Sequence, residues 1–184
     1  MEHITEQQAK ELLKRYSTSV ETYRLVLEHV ENVRQIALEV AEKVPGVDKQ
    51  FISTASLLHD IGRFKAPPRT RGSIRHGIEG AKILRQEGLP EHAKVAERHI
   101  GIGISARDIE EQDLDLPKKD YLPESKEEMI ITYADNLDYK GRKTEKFVED
   151  RFAREIGEEF RKKVKEFHRS ISMLCRRSRK PLSE

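Results

Sequence analysis

Apolar residues recur every three or four positions along most of the chain, and no segment shows the two-residue alternation of a strand. This spacing predicts a short helix over 6–16, with Ala9, Leu12, Leu13 and Tyr16 on one side. Ser19 can cap a long helix to about Val44, whose stripe is Val26, Val30, Val33, Ala37, Ala41 and Val44, and Pro45-Gly46 ends it. Asp48 starts a third helix that runs through Ile61 and is stopped by Gly62. Residues 62–73, with Pro67, Pro68 and Gly72, read as a loop, and Ser73 begins a helix over 74–87 closed by Gly88. Pro90 opens the next, which ends at Gly101, and 101–124 reads as loop with one short helix. Ser125 and Glu128 make a capping box for a helix over 126–138. Beyond Gly141, Thr144 caps one long final helix carrying Val148, Phe152, Ile156, Phe160, Val164, Phe167 and Ile171. The fold class expected is all-α, a compact helical bundle with a long C-terminal helix.

Composition narrows the class. At 184 residues the chain is long enough for one domain with a real core. Charged residues make up 37%, aromatics are few and Trp is absent, a profile of helical rather than β-rich or disordered chains. The formal net charge of +2 excludes a nucleic-acid-binding polycation, so any basic preference is local. Cys175 is the single cysteine, so no internal disulfide forms. The charged N-terminus does not resemble a secretory signal, no apolar run approaches a membrane span, and the expected location is cytoplasmic.

The chemistry lies in polar residues set within these apolar stretches. His29 shares a line with Val26, Val33 and Ile36. His59 shares a face with Ile52 and Ala55 and is followed by Asp60. His76 opens HGIEGAKIL, His99 closes VAERHIG, and Asp135 lies in ITYADNLD. Four imidazoles and two carboxylates are expensive to bury unless something binds them, and a divalent metal or a pair of metals is the simplest candidate. His and carboxylate donors without thiolate favour Mn, Fe, Zn, Ni or Co, with Mg admitted at a carboxylate-rich position. Taken singly, each histidine reads more readily as a hydrogen-bonded core residue. His3, His92 and His168 are read as surface residues, His92 being the nearest impostor among the ligands.

The series His29, His59-Asp60 and Asp135, with LLHDIG around the dipeptide, resembles the signature of the HD superfamily of metal-dependent phosphohydrolases. The resemblance covers roughly 20–142. It implies an all-helical HD core with one metal on those four residues; the length and the final apolar stripe set that core in a single domain over 1–184 with a C-terminal helix at about 144–175. His76 and His99 match the extra histidines of dinuclear members, such as the bacterial diadenosine tetraphosphate hydrolases and the HD-GYP cyclic-dinucleotide phosphodiesterases. That match implies two ions bridged by Asp60, with His76 and His99 on the second. No GYP motif is present, and Arg63 stands where those proteins have Lys. The pattern is most similar to a small archaeal HD-domain family, a likeness that names no substrate.

Between two of these segments lies a basic loop with Arg63, Lys65, Arg69, Arg71 and Arg75. Arg forks match phosphate oxygens and can stabilise a transferred phosphoryl group. Arg63 is the leading catalytic partner of Asp60. Arg69, Arg71 and Arg75 are further phosphate contacts, and a solvated surface is the plain alternative. Lys140 and Arg142 resemble the basic residues that follow the last HD motif and can hold a second phosphate. Tyr139 can stack on a base. The function expected is hydrolysis of a nucleotide or related phosphate ester through metal-activated water. The rival is a metal- and nucleotide-binding sensor without turnover. The basic end, Arg176, Arg177, Arg179 and Lys180, reads as a frayed terminus ahead of a nucleic-acid contact. Self-association stays open.

Overall fold

In the computed structural model, residues 4–70 and 72–176 are described. They form an all-α bundle: α1 (Glu6–Tyr16), α2 (Val20–Ala41), α3 (Lys49–Leu58), α4 (His76–Gln86), α5 (Pro90–Arg98), α6 (Ala106–Glu111), α7 (Lys126–Leu137), α8 (Glu145–Glu155) and α9 (Glu158–Arg176). Two 3₁₀ turns, Ile61–Phe64 and Ser73–Arg75, flank the basic loop. Among the described residues, β pairing is confined to isolated bridges such as Ile104–Tyr121. No helix of the described residues is long and apolar enough to cross a membrane.

Local signals set most boundaries. Thr5 and Ser19 close capping boxes with Gln8 and Thr22 at the starts of α1 and α2. Asp48, Ser125 and Thr144 each accept an N–H from the third residue of the helix they open. At α7 the box is only half formed. Glu128 donates its N–H to Ser125 Oγ at 3.0 Å, but its carboxylate accepts from Glu124 N–H and pairs with Arg98 instead of turning back to Ser125.

Two layers of apolar side chains hold the bundle. One joins α2, α3 and α7 to α8 and α9 through Val33, Ile52, Ile130, Ile131, Val148 and Val164. The other packs α1 on α2–α5 through Leu13, Val30, Leu57, Leu58 and Leu84. Burying each such side chain contributes about 1.5–3 kcal/mol against its exposed state.

The structure corrects three expected boundaries. α3 ends at Leu58, and Gly62 falls inside the 3₁₀ turn rather than stopping a longer helix. The cause is steric. A Cβ on Gly62 would overlap the carbonyl oxygen of His76 and lie 2.5 Å from the nitrogen of Gly80, so the turn must bend to lie against α4. Ser73 opens a 3₁₀ turn, and α4 proper begins at His76. The single C-terminal helix is two. Gly157 takes a φ of 156° and ends α8, its N–H bonding Phe152 O at 3.2 Å, and α9 packs back on α7 and α8.

Candidate metal centre

Five helices and a 3₁₀ turn meet at one point. His59 caps the C-terminus of α3, His99 caps the C-terminus of α5, and His76 is the first residue of α4. His29 faces them from α2, Asp135 from α7, and Asp60 from the start of the first 3₁₀ turn. Close glycine contacts make this convergence possible. A Cβ on Gly77 would lie 2.7 Å from the oxygen of Ala96, so α4 rests directly on the turn of α5 that presents His99.

The imidazoles are aimed by their other nitrogen. Nδ1 of His59, His76 and His99 bonds the carbonyl three residues back, on Ser56, Ser73 and Ala96, at 2.6, 2.7 and 2.9 Å. A carbonyl accepts only, so each Nδ1 carries the proton and each Nε2 turns inward with its lone pair. His29 Nδ1 instead meets Asp138 Oδ2 at 2.8 Å. All four Nε2 atoms therefore face the same space.

The donors fall into two groups joined by Asp60. His29 Nε2 and His59 Nε2 lie 3.1 and 3.6 Å from Asp135 Oδ1. His76 Nε2 and His99 Nε2 lie 3.3 and 3.5 Å from Asp60 Oδ1 and 3.1 Å from each other, while Asp60 Oδ2 lies 3.7 Å from His29 Nε2. One carboxylate thus turns one oxygen to each group. The sets His29–His59–Asp135 and His59–Asp60–His99 are each close enough to share an ion. His59, Asp60, His76 and His99 are buried, while the side chains of His29 and Asp135 keep 26% and 21% exposure and form the mouth.

The residues fit a metal. His59 Nε2 is fully buried and has no hydrogen-bond partner in the protein, an arrangement that costs about 1–3 kcal/mol unless a ligand takes the lone pair. The electrostatics agree. Burial alone would drive Asp60 toward its neutral form, but the Arg63 charge and the surrounding imidazoles hold its pKa well below the usual carboxylate value. Burial opposes Asp135 in the same way, and a hydrogen bond from His29 with the neighbouring imidazole of His59 keeps it ionised. Burial lowers His76 to about 3, so it is neutral and ready to donate its lone pair. Burial also disfavours the charged form of His29, yet its bonds to Asp135 and Asp138 raise it to about 10 in the metal-free protein.

The basic residues divide. Arg63 Nε lies 3.1 and 3.2 Å from the two oxygens of Asp60, at the edge of the centre. Arg75 is turned to Asp115 at 2.9 Å, and Arg142 to Glu39 at 2.7 Å. Arg69 and Lys140 are exposed and adopt left-handed backbone, with φ of 65° and 52°. Tyr139 carries the Arg151 guanidinium 5.1 Å over its ring. Arg71, His3, Arg177, Arg179 and Lys180 lie outside the described residues, as does the side chain of Arg176.

Two histidines expected at the surface are buried. His92 packs on Phe51 and shares a hydrogen bond with Thr54 Oγ at 2.9 Å. His168 sits edge-on to Tyr133 with Nδ1 3.6 Å from Glu149, and burial lowers its pKa. Two polar residues of the centre's surroundings escaped the sequence reading. Asp138 backs His29. Asn136 donates to the carbonyls of Gly101 and Thr132 and accepts from Arg151. Both lie within three residues of Asp135, which was the available signal.

An HD domain family model matches residues 26–140. The chain is 40% identical over 154 residues to Uncharacterized protein MJ0778 of Methanocaldococcus jannaschii, covering 81% of this chain and 83% of that one. It is 36% identical over 155 residues to the tRNA (cytidine(56)-2'-O)-methyltransferase of Picrophilus torridus, and 34% identical over 170 residues to that of Thermoplasma volcanium. These alignments take in 83% and 91% of this chain but 43% and 46% of the methyltransferases, so the chain spans about half their length. Among solved structures, the HD domain of the L. monocytogenes phosphodiesterase PgpH superposes with a TM-score of 0.58 at 17% identity, over 91% of this chain and 93% of that one. Its complex with cyclic-di-AMP superposes with a TM-score of 0.52 at 18% identity, over 96% and 99%. At such identities the likeness is one of fold.

Proposed function

This chain belongs to the HD domain family, in the HD superfamily of metal-dependent phosphohydrolases, and from that membership we propose that it hydrolyses a nucleotide or related phosphate ester. The observation that carries the reading is the placement of Asp60, one oxygen toward His29 and the other toward His76 and His99. His29, His59, Asp60 and Asp135 would hold one divalent ion, and Asp60, His76 and His99 a second. Bound there, such ions supply an activated water and offset charge on the phosphoryl oxygens.

The chain's own residues do the rest. Backbone carbonyls and Asp138 fix the imidazoles, so little reorganisation accompanies the reaction. Burial of His59, His76 and His99 keeps bulk water from the floor of the site, where charges interact more strongly. Arg63, anchored to Asp60 through Nε, offers its remaining N–H groups to a phosphoryl oxygen at the mouth. Lys140 and Arg69 can meet a second phosphate, whereas Arg75 and Arg142 must first leave Asp115 and Glu39.

Support for a nucleotide comes from the PgpH neighbour, whose HD domain is seen with cyclic-di-AMP. The test is a screen of purified protein against cyclic dinucleotides, dinucleoside polyphosphates and nucleoside monophosphates with Mn, Ni, Co, Fe, Zn or Mg added. Turnover of one class, abolished by chelation, is expected.

The relatives named tRNA methyltransferases favour a second reading, in which the domain binds metal and nucleotide, or RNA, without turnover. Stoichiometric metal with no hydrolysis of any phosphate ester would establish it.

A further inference from the structure

The two groups of donors are not equivalent. His76 and His99 are backed by the neutral carbonyls of Ser73 and Ala96, and the one carboxylate oxygen near them is Oδ1 of Asp60, which Arg63 also contacts. His29 is backed by a carboxylate, and its group holds a second carboxylate, Asp135, of its own. A negative charge behind a ligating imidazole fixes its orientation and raises its donor strength.

Asp138 has no visible structural duty that would explain its burial. Its backbone N–H, not its side chain, closes α7 by bonding Asp135 O at 3.1 Å. Its Oδ2 meets His29, and its Oδ1 is buried without a partner, which is unfavourable for a carboxylate. The side chain is therefore committed to one contact, 2.8 Å from a nitrogen whose ring-mate faces Asp135 and Asp60.

We infer that Asp138 is a positioning residue that makes the His29–His59–Asp135 half of the centre the first and tighter to take a divalent cation, the His76–His99 half filling second. This rests on the metal-binding reading above. The physical reason is charge. The first half gathers Asp135 and the field of Asp138 around the cation, whereas the second shares a single carboxylate already paired with Arg63. Position acts in the same direction, since His29 and Asp135 form the exposed mouth and His76 and His99 lie beneath.

The test is titration of the full chain, stripped of metal, with Mn²⁺ and separately with Co²⁺, read by calorimetry and by metal count after dialysis. Two classes of site are expected in the wild type. Asp138→Asn keeps the shape and an acceptor oxygen but removes the charge. It should weaken the tighter class by about 10- to 100-fold and leave the weaker one unchanged. His99→Ala should abolish the weaker class and leave the tighter one intact. Equal constants in Asp138→Asn and wild type would overturn the inference, as would weakening confined to the class that His99→Ala removes. Asp138→Ala, followed by thermal unfolding, controls for folding. If neither Asp138 variant folds, the residue serves the fold and the inference is wrong. Because binding is read without substrate, ordered filling with no hydrolysis of any ester would sink the phosphohydrolase reading alone. A wild-type chain that binds neither ion would sink both.

Discussion

The backbone of Gly62 rests against the backbone of His76 so closely that a Cβ on the glycine would overlap the histidine's carbonyl oxygen. This contact ties the turn that follows His59-Asp60 to the helix that opens on His76. Both neighbours are main chain, so neither can swing aside. Gly62→Ala should destabilise the protein by about 3 kcal/mol or more, at the upper end for overpacking, and should scatter the metal donors. Urea unfolding checks the first part and metal content the second. A stable variant with full metal content would show that the turn can move and that the contact positions nothing.

Asp60 turns one carboxylate oxygen to each group of donors. Asp60→Ala should therefore remove metal and activity together, whereas His99→Ala should lower the stoichiometry from two ions to one. Metal-assisted stabilisation of charge is worth several kcal/mol, so the rate of Asp60→Ala should fall by about 10³-fold or more. Metal analysis beside a rate assay decides it. Full occupancy and rate in Asp60→Ala would remove the ligand assignment.

Away from the centre, Asp108 joins α6 to α9. It accepts from Ser105 N–H and Oγ–H and pairs with Lys163 Nζ at 2.8 Å. Burial pushes its pKa up, but the Lys163 and Ser105 bonds outweigh that and leave it below the ordinary value of 3.8. The unfolded chain thus binds a proton at higher pH than the folded one. The stabilisation is complete above 3.8 and is lost as pH falls from there through the lowered folded-state value. Wild type should be more stable than Asp108→Asn at pH 7, and the gap should close in that acidic window. Paired denaturation curves at the two pH values measure it. A gap that persists below the window would mean that the charge of Asp108 contributes nothing.

The helices were legible because capping residues and three-to-four spacing agree at most starts, from Ser19 to Thr144. Gly157 was passed over because its flanking apolar residues, Ile156 and Phe160, continue the stripe across the break. The candidate donors were legible for a different reason: polar residues in apolar runs are conspicuous. His92 and His168 read as surface because their neighbours, Thr54 and Glu149, are distant in sequence; a hydrogen bond satisfies the first, while the second only brings Nδ1 to 3.6 Å from a carboxylate. Asp138 was missed because an acidic residue at a helix end reads as ordinary surface. Its meeting with His29 is a product of α2 packing on α7, which no local pattern encodes.

Asn136 extends the same lesson to the frame of the site. It follows Asp135 on α7, and its amide donates to Gly101 O, two residues beyond His99, while its oxygen accepts from Arg151 at 2.9 Å. One buried side chain thereby links the segments that carry Asp135 and His99 to α8. Removing it leaves the half-buried Gly101 carbonyl and one half-buried Arg151 donor without a protein partner, a loss of about 1 kcal/mol, since water reaches both. Arg151 also lies over the rings of Tyr139 and Phe152, so Arg151→Ala alone should destabilise as well. If the three groups act as one network, the double variant Asn136→Ala/Arg151→Ala should cost less than the two single losses added together. The expected coupling is at least about 0.5 kcal/mol, read from chemical denaturation of all four proteins. Simple additivity would mean that Arg151 serves only its aromatic neighbours, and that Asn136 holds Gly101 without help from α8.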